Sequence, residues 1–221
     1  STDNVTLTST SKDVTFKTGA ENFESYLPLL KDKRVGIVTN QTGILSKEKH
    51  LVDFLIEQNI NLQKIYAPEH GFRGSADAGE LIVDGKDTKT NLPIISLYGN
   101  NKKPKPEQLE GIDILVFDLQ DVGARFYTYI SSLHYVMEAC AENNIPLLVL
   151  DRPNPNGTII DGPILEKEHK SFVGMHEIPV LHGMTIGEYA KMINGEKWLK
   201  DSLQCDLKVA PCLNYSHDMK Y

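Results

Sequence analysis

The 221-residue sequence lacks several features that would assign a protein to a class at once. Its three cysteines, Cys140, Cys205 and Cys212, include no C-x-x-C pair, which disfavours a zinc knuckle or a disulfide scaffold and leaves one Cys205–Cys212 bridge as an alternative. No apolar run approaches the roughly 20 residues of a membrane-spanning helix. Positive charge is also scarce, because 23 Lys and Arg stand against 30 Asp and Glu, for a net charge of −7. We therefore expect that the chain does not bind nucleic acid and contains no membrane span.

Familiar cofactor and nucleophile motifs are missing as well. The turn after the first apolar run, residues 39–43, reads TNQTG rather than G-x-G-x-x-G, which disfavours a dinucleotide, and no Walker A loop occurs. Without a G-x-S-x-G elbow, the chain has no serine nucleophile of the α/β-hydrolase type. After His176-Glu177 the next histidine is His182, so the spacing differs from that of the zincin motif H-E-x-x-H. We predict no cofactor and, in the leading interpretation, no metal.

What the sequence does contain is an alternation of short β-branched runs with helical patterns. The runs are 34–39, 62–67, 93–98, 112–118 and 146–151, and one more strand is expected at 207–211. Their near-continuous apolar character is typical of strands buried on both faces of a parallel sheet. Helical patterns occupy about 46–59, 127–142 and 185–194. This order predicts an α/β fold with a doubly wound, mostly parallel, Rossmann-like sheet that has helices on both faces.

Polar residues follow the predicted strands at the edge where ligands bind in such sheets. They are Asn40 after the first strand; Glu69, His70 and Arg73 after the second; Asp118, Gln120, Asp121 and Arg125 after the fourth; and Asp151, Arg152 and Asn154 after the fifth. Amides, carboxylates and arginines suit a ligand with many hydroxyl groups, such as a sugar.

Glu69 is the best candidate for a catalytic acid at this edge. Cleavage of a glycosidic bond requires a carboxylic acid that stays neutral until it protonates the leaving oxygen. Glu69 follows a buried strand and Pro68, where loss of hydration would raise its pKa, and His70 and Arg73 are near enough in sequence to tune it.

Four ordered motifs then resemble a known family. They are APEHGFRG at 67–74, FDLQDVGARFYTY at 117–129, LDRPNPNG at 150–157 and HGMTIGE at 182–188. Together they are similar to the motif series of the NamZ-type exo-β-N-acetylmuramidases, and the resemblance extends from about residue 34 to the end of the chain. It implies a Rossmann-like N-terminal domain followed by a smaller C-terminal domain.

The resemblance implies a glycoside hydrolase that removes N-acetylmuramic acid from the non-reducing end of peptidoglycan fragments. The acid/base glutamate of the family corresponds to Glu69. For the second catalytic group Asp121 is the first choice and Asp118 the second, because Asp118 lies further back in its strand. Assistance by the N-acetyl group of the substrate, oriented by a carboxylate or by Tyr127, is a third alternative.

The other candidates are predicted to bind substrate. They are Asn40, His70, Arg73, Gln120, Arg125, Tyr127, Asp151, Arg152, Asn154 and His182. The lactyl carboxylate of muramic acid needs a cation, and a guanidinium binds a carboxylate with two parallel hydrogen bonds. Alternatively, the arginines are buried partners of the aspartates, and the segment 151–154 is a rigid turn that two prolines fix.

Two other classes of function use the same residues. A metal-dependent hydrolase would take Glu69, His70, Asp118, Asp121 and His182 as ligands. A non-catalytic module would bind muropeptides and leave the glycosidic bond intact.

Length and resemblance together suggest three segments. We predict a polar, poorly ordered segment over 1–19, the Rossmann-like domain over 20–204, and the beginning of the C-terminal domain over 205–221. The sequence opens without Met, which fits an exported and processed protein. We expect a periplasmic or secreted location, although a cytoplasmic one is compatible with the same residues.

Overall fold

The structure, a computed structural model, describes residues 15–68, 85–97, 101–120, 126–153 and 184–214, with the backbone alone at 126–128. These residues form a parallel sheet of six strands. The strands are β1 (Arg34–Thr39), β2 (Asn61–Ala67), β3 (Ile94–Ser96), β4 (Ile114–Asp118), β5 (Leu147–Leu150) and β6 (Leu207–Ala210).

The spatial order of the strands is β3-β2-β1-β4-β5-β6. Each neighbouring pair is parallel. The chain therefore winds outward in one direction from β1 to β3 and in the other from β4 to β6, and this order is that of the Rossmann fold. The predicted fold class is confirmed.

Four α-helices cover the two faces of the sheet within the described residues. They are α1 (Phe23–Leu30), α2 (Leu51–Glu57), α3 (Phe126–Glu142) and α4 (Ile186–Gly195). One apolar core contains side chains of α1 and α2, and the other contains side chains of α3 and α4. Alternate residues of each central strand enter opposite cores, as with Phe117 in one and Val116 in the other. This explains why the strands are apolar at almost every position.

The helices differ from the prediction at two places. Residues Ser46–Glu48 form a short 3-10 turn, and α2 begins only at Leu51, where the side chain of His50 accepts a hydrogen bond from the Val52 N–H. The helix α1 was not predicted. The capping box that predicted α4 is present, because the Thr185 and Glu188 side chains each bond to the other's backbone N–H.

The strand β6 pairs with β5, so Leu207–Ala210 lies in the same sheet as the other described strands. Residues 17–19 are also bonded to residues at the ends of β5 and β6. The Lys17 backbone pairs with Leu213, and a Cβ atom on Gly19 would lie 2.3 Å from the Asp151 backbone nitrogen, so only glycine fits there. The three cysteines are free thiols, which rules out the Cys205–Cys212 bridge in this structure. No helix in the described ranges is long and apolar enough to cross a membrane.

A partly buried cluster of charges holds the residues after β3 against α3. Lys103 Nζ lies 2.9 Å from Glu138 Oε1 and 2.6 Å from Glu142 Oε1, and His134 Nε2 lies 3.3 Å from the other oxygen of Glu138. Burial lowers the pKa of His134 below its ordinary value of 6.5, against the opposing effect of the Glu138 carboxylate. His134 is therefore neutral at neutral pH.

Acidification should destabilise the fold through His134. Below about pH 6.5 the unfolded chain takes up a proton that the folded chain resists, so the free energy of unfolding falls as pH falls. His134→Gln removes this contribution. When the free energy of unfolding is measured with urea, we expect it to fall between pH 7.5 and pH 5.5 in both proteins. The fall should be smaller in the variant than in the unmodified protein by up to about 1 kcal/mol. An identical pH dependence in the two proteins would contradict the assignment.

Candidate active site at the carboxyl edge of the sheet

The candidate site lies where the strand order reverses, between the carboxyl ends of β1 and β4. Thr39 at the end of β1 is in register with Asp118 at the end of β4. The next residues along these strands include Asn40 and Gln120, two of the predicted ligand-binding residues. Open α/β sheets bind ligands in the crevice that forms at such a reversal.

Asn40 shapes the loop after β1. Its side chain is fully buried, and its Oδ1 accepts hydrogen bonds from the backbone N–H and the hydroxyl of Thr42. The amide nitrogen of Asn40 lies 3.4 Å from the hydroxyl of Tyr129 on α3. The carbonyl of Asn40 accepts from His50 Nε2 at 2.8 Å, while His50 Nδ1 accepts from Val52, which places the imidazole proton on Nε2. Asn40, which the sequence predicted to bind substrate, thus forms an Asx turn.

Gln120 connects the loops after β1, β4 and β5. Its backbone N–H donates to the Thr42 hydroxyl at 3.0 Å, and its side-chain nitrogen donates to the Pro153 carbonyl at 2.9 Å. Only 8% of Gln120 is exposed. These two contacts bring the strand ends together as the sequence predicted.

Asp118 and Arg152 form a buried ion pair with two parallel hydrogen bonds. Arg152 Nε donates to Asp118 Oδ1 at 2.7 Å, and Nη2 donates to Oδ2 at 2.9 Å. The side chain of Asp118 is 0% exposed and that of Arg152 is 4% exposed. Arg152 Nη2 also lies 3.3 Å from the carbonyl oxygen of Ile44, in the loop after β1. Of the two alternatives for Arg152, the structure shows the buried partner of an aspartate.

Asp151 is directed at the first turn of α4. Its Oδ1 accepts from the backbone N–H groups of Arg152 and Gly187, and its Oδ2 accepts from the Thr185 hydroxyl at 2.8 Å. Burial raises the pKa of Asp151, although the hydrogen bonds from Gly187, Thr185 and Arg152 oppose this effect. A carboxylate at a helix N-terminus is favourable because it satisfies N–H groups that have no partner within the helix.

The remaining candidates fall outside the described side chains. Glu69, His70, Arg73, Asp121, Arg125, Asn154 and His182 lie outside the described residues, and Tyr127 is described by its backbone alone. The residue before Glu69, Pro68, is buried directly after β2. The predicted roles of these eight residues stay predictions.

The metal-dependent alternative rests on residues that are mostly outside the described ranges. Of its five candidate ligands only Asp118 is described, and both of its oxygens bind Arg152. In the part of the chain that the structure describes, no group of three or more His, Cys, Asp and Glu side chains is placed to hold a metal ion.

Sequence reasoning missed Thr42, Tyr129 and Thr185 as members of the site. Thr42 was detectable, since Asn40-x-Thr42 is the spacing of an Asx turn. Tyr129 packs inward from α3 and is 1% exposed. The bond between Thr185 and Asp151 joins residues 34 positions apart, and no local pattern predicts it.

The strand order and the polar carboxyl edge define an α/β domain of the Rossmann type. Residues 35–221 match the sequence model of the family described as "Exo-beta-N-acetylmuramidase NamZ, N-terminal". The chain belongs to this family.

Known relatives extend well beyond the matched region. The chain is 47% identical over 215 residues to the peptidoglycan beta-N-acetylmuramidase NamZ of Bacillus subtilis (strain 168). This match covers 96% of this chain and 51% of that protein. Two crystal structures of DUF1343 family proteins from Bacteroides fragilis NCTC 9343 are also similar. One has a TM-score of 0.81 at 48% identity and the other 0.82 at 44%, and the match covers 94% of this chain in both cases and 54% and 53% of theirs. The chain spans about half the length of these relatives.

Two glycines of α4 test where the Asp151 carboxylate lies. A Cβ atom on Gly187 would lie 2.8 Å from Asp151 Cγ and 2.8 Å from Val209 Cγ1, whereas one on Gly195 would meet nothing within 4 Å. We expect Gly187→Ala to lower the free energy of unfolding by about 1–3 kcal/mol, because the packed carboxylate must move. Gly195→Ala, the matched control, should change it by less than about 1 kcal/mol. Urea unfolding measures both, and equal effects would contradict the described position of Asp151.

Proposed function

We propose that this chain is the Rossmann-like part of an exo-acting glycoside hydrolase that releases N-acetylmuramic acid from the non-reducing end of peptidoglycan fragments. The observation that carries the proposal is the 47% identity to the Bacillus subtilis enzyme across 96% of the chain. The polar crevice at the reversal of strand order agrees with this class of ligand, because amides and carboxylates match sugar hydroxyls.

Glu69 acts as the catalytic acid in this proposal. It follows Pro68 in the sequence, and Pro68 comes directly after β2, the strand next to β1. A carboxylic acid near this buried strand end can stay protonated until it donates to the glycosidic oxygen as the bond breaks.

For the second catalytic group we favour Asp121, or the N-acetyl group of the substrate, over Asp118. Both oxygens of Asp118 accept hydrogen bonds from Arg152, and its side chain is 0% exposed. A nucleophile or base must reach the anomeric carbon or a water molecule beside it. Asp121 follows Gln120 in the sequence, three residues beyond Asp118.

The substrate also supports a proposed location. Peptidoglycan fragments occur in the periplasm and outside the cell, so we place the protein there. The second half of the relatives, which this chain does not contain, supplies the rest of the crevice in this proposal.

A chromogenic β-N-acetylmuraminide tests the function and the role of Glu69. We expect the full-length natural protein to release the chromophore and Glu69→Gln to lower kcat by about 10²–10⁴-fold, because the amide has no proton to donate to the leaving oxygen. Glu24→Gln, an exposed glutamate in the first turn of α1, is the matched control and should retain full activity.

Each outcome has a distinct meaning. Binding of muropeptides without release by the unmodified protein would refute the enzyme and favour the binding module. Release that survives Glu69→Gln would refute the assignment of Glu69 alone.

A further inference from the structure

We propose that Arg152 is a positioning residue: its ion pair with Asp118 holds the loops after β1, β4 and β5 in one arrangement, and a different cation binds the carboxylate of the substrate. This inference rests on the proposed function. The guanidinium group of Arg152 contacts Asp118 at the end of β4 and the carbonyl of Ile44 in the β1 loop. Arg152 itself belongs to the β5 loop.

Two further hydrogen bonds connect the same three loops. The Thr42 hydroxyl joins the β1 loop to Gln120, and the Gln120 side chain joins the β4 loop to the carbonyl of Pro153. Each loop is therefore bonded to both of the others. We call this set of contacts, made by Thr42, Ile44, Asp118, Gln120, Arg152 and Pro153, the loop junction.

The chemistry of the ion pair argues for positioning rather than for stability. Removing two charges from water costs free energy that their mutual attraction only partly returns, so a buried pair stabilises a fold poorly compared with apolar side chains of similar size. What such a pair does supply is direction, because a guanidinium and a carboxylate meet in one planar arrangement. Arg152 and Asp118 meet in this way, with both side chains almost completely buried.

The same geometry separates Arg152 from the substrate. To bind a substrate carboxylate through Nε and Nη2, Arg152 would have to release Asp118 and leave it as an uncompensated buried charge. Recognition of the lactyl carboxylate then falls to another cation, and Arg73 and Arg125, which follow β2 and β4 in the sequence, are the candidates.

The loop junction adjoins, along the chain, one predicted catalytic residue and one predicted substrate-binding residue. Asp121 follows Gln120 and Asn154 follows Pro153 in the sequence. A displacement of about 1 Å in a reacting group can lower the rate about 10²-fold. Loosening the junction should therefore reduce the rate of the chemical step far more than the affinity for sugar.

The exposed pair Arg34–Asp113 provides a matched control. Arg34 Nε and Nη2 donate to the two oxygens of Asp113 at 3.1 and 2.9 Å, so the geometry is the same. The side chains are 55% and 38% exposed, and they lie at the opposite edge of the sheet, at the start of β1 and just before β4. Arg34→Ala should leave kcat unchanged.

The test compares Arg152→Ala, Arg152→Lys and Arg34→Ala in the full-length natural protein. We expect both Arg152 variants to lower kcat on the chromogenic muraminide by about 10²-fold, since lysine keeps the charge but not the paired geometry. Inhibition constants for N-acetylmuramic acid and N-acetylglucosamine, which differ by the lactyl group, measure carboxylate recognition. The ratio of the two inhibition constants should be the same in the three variants as in the unmodified protein. A ratio that falls to about one in the Arg152 variants alone would show that Arg152 binds the carboxylate and would overturn the proposal.

A second measurement needs neither activity nor substrate. Hydrogen exchange in Arg152→Lys should accelerate together in peptides that contain residues 40–45, 118–120 and 151–153, and Arg34→Ala should leave all three unchanged. Acceleration in the β5 peptide alone would overturn the loop junction. If the unmodified protein cleaves no muraminide, the proposed function fails, and this measurement still decides whether Arg152 holds the three loops.

Discussion

The structure depends on the burial of one parallel sheet on both faces. Helices α1 and α2 cover one face and α3 and α4 the other, so the central strands carry apolar side chains at almost every position. Polar side chains can accumulate only at the strand ends. At the carboxyl edge they are themselves largely buried, and a buried polar group without a partner is costly. The polar residues of this edge therefore bind one another.

This constraint explains the contacts of several residues that the sequence predicted to bind substrate. Asn40 closes a turn, Gln120 bridges two loops, Asp151 caps α4 and Arg152 neutralises Asp118. Such residues have the side chains that bind sugars, and their chemical type alone does not distinguish the two uses. The described residues that follow the strands are thus connected by hydrogen bonds that link neighbouring loops.

The sequence predicted the fold more accurately than the directions of the side chains. Strands such as Arg34–Thr39 follow from local apolar runs, and α4 follows from the Thr185 capping box. The prediction missed α1, whose sequence FESYLPLL contains Pro28, and placed the start of α2 at Ser46 rather than after His50. The ion pair joins residues 34 positions apart. Local sequence patterns indicate which residues follow a strand. The direction of the side chains of these residues depends on partners that are distant in sequence.

The pairing of Lys17 with Leu213 bears on how the domain connects to other polypeptide. The backbones of these residues exchange hydrogen bonds at 3.0 and 2.9 Å, and Asn214 Nδ2 donates to the Thr15 carbonyl. The two ends of the described fold therefore meet beside β6, at the margin of the sheet. A short peptide could join them, so this arrangement of strands is compatible with circular permutation and with insertion of the whole unit into a loop of another protein.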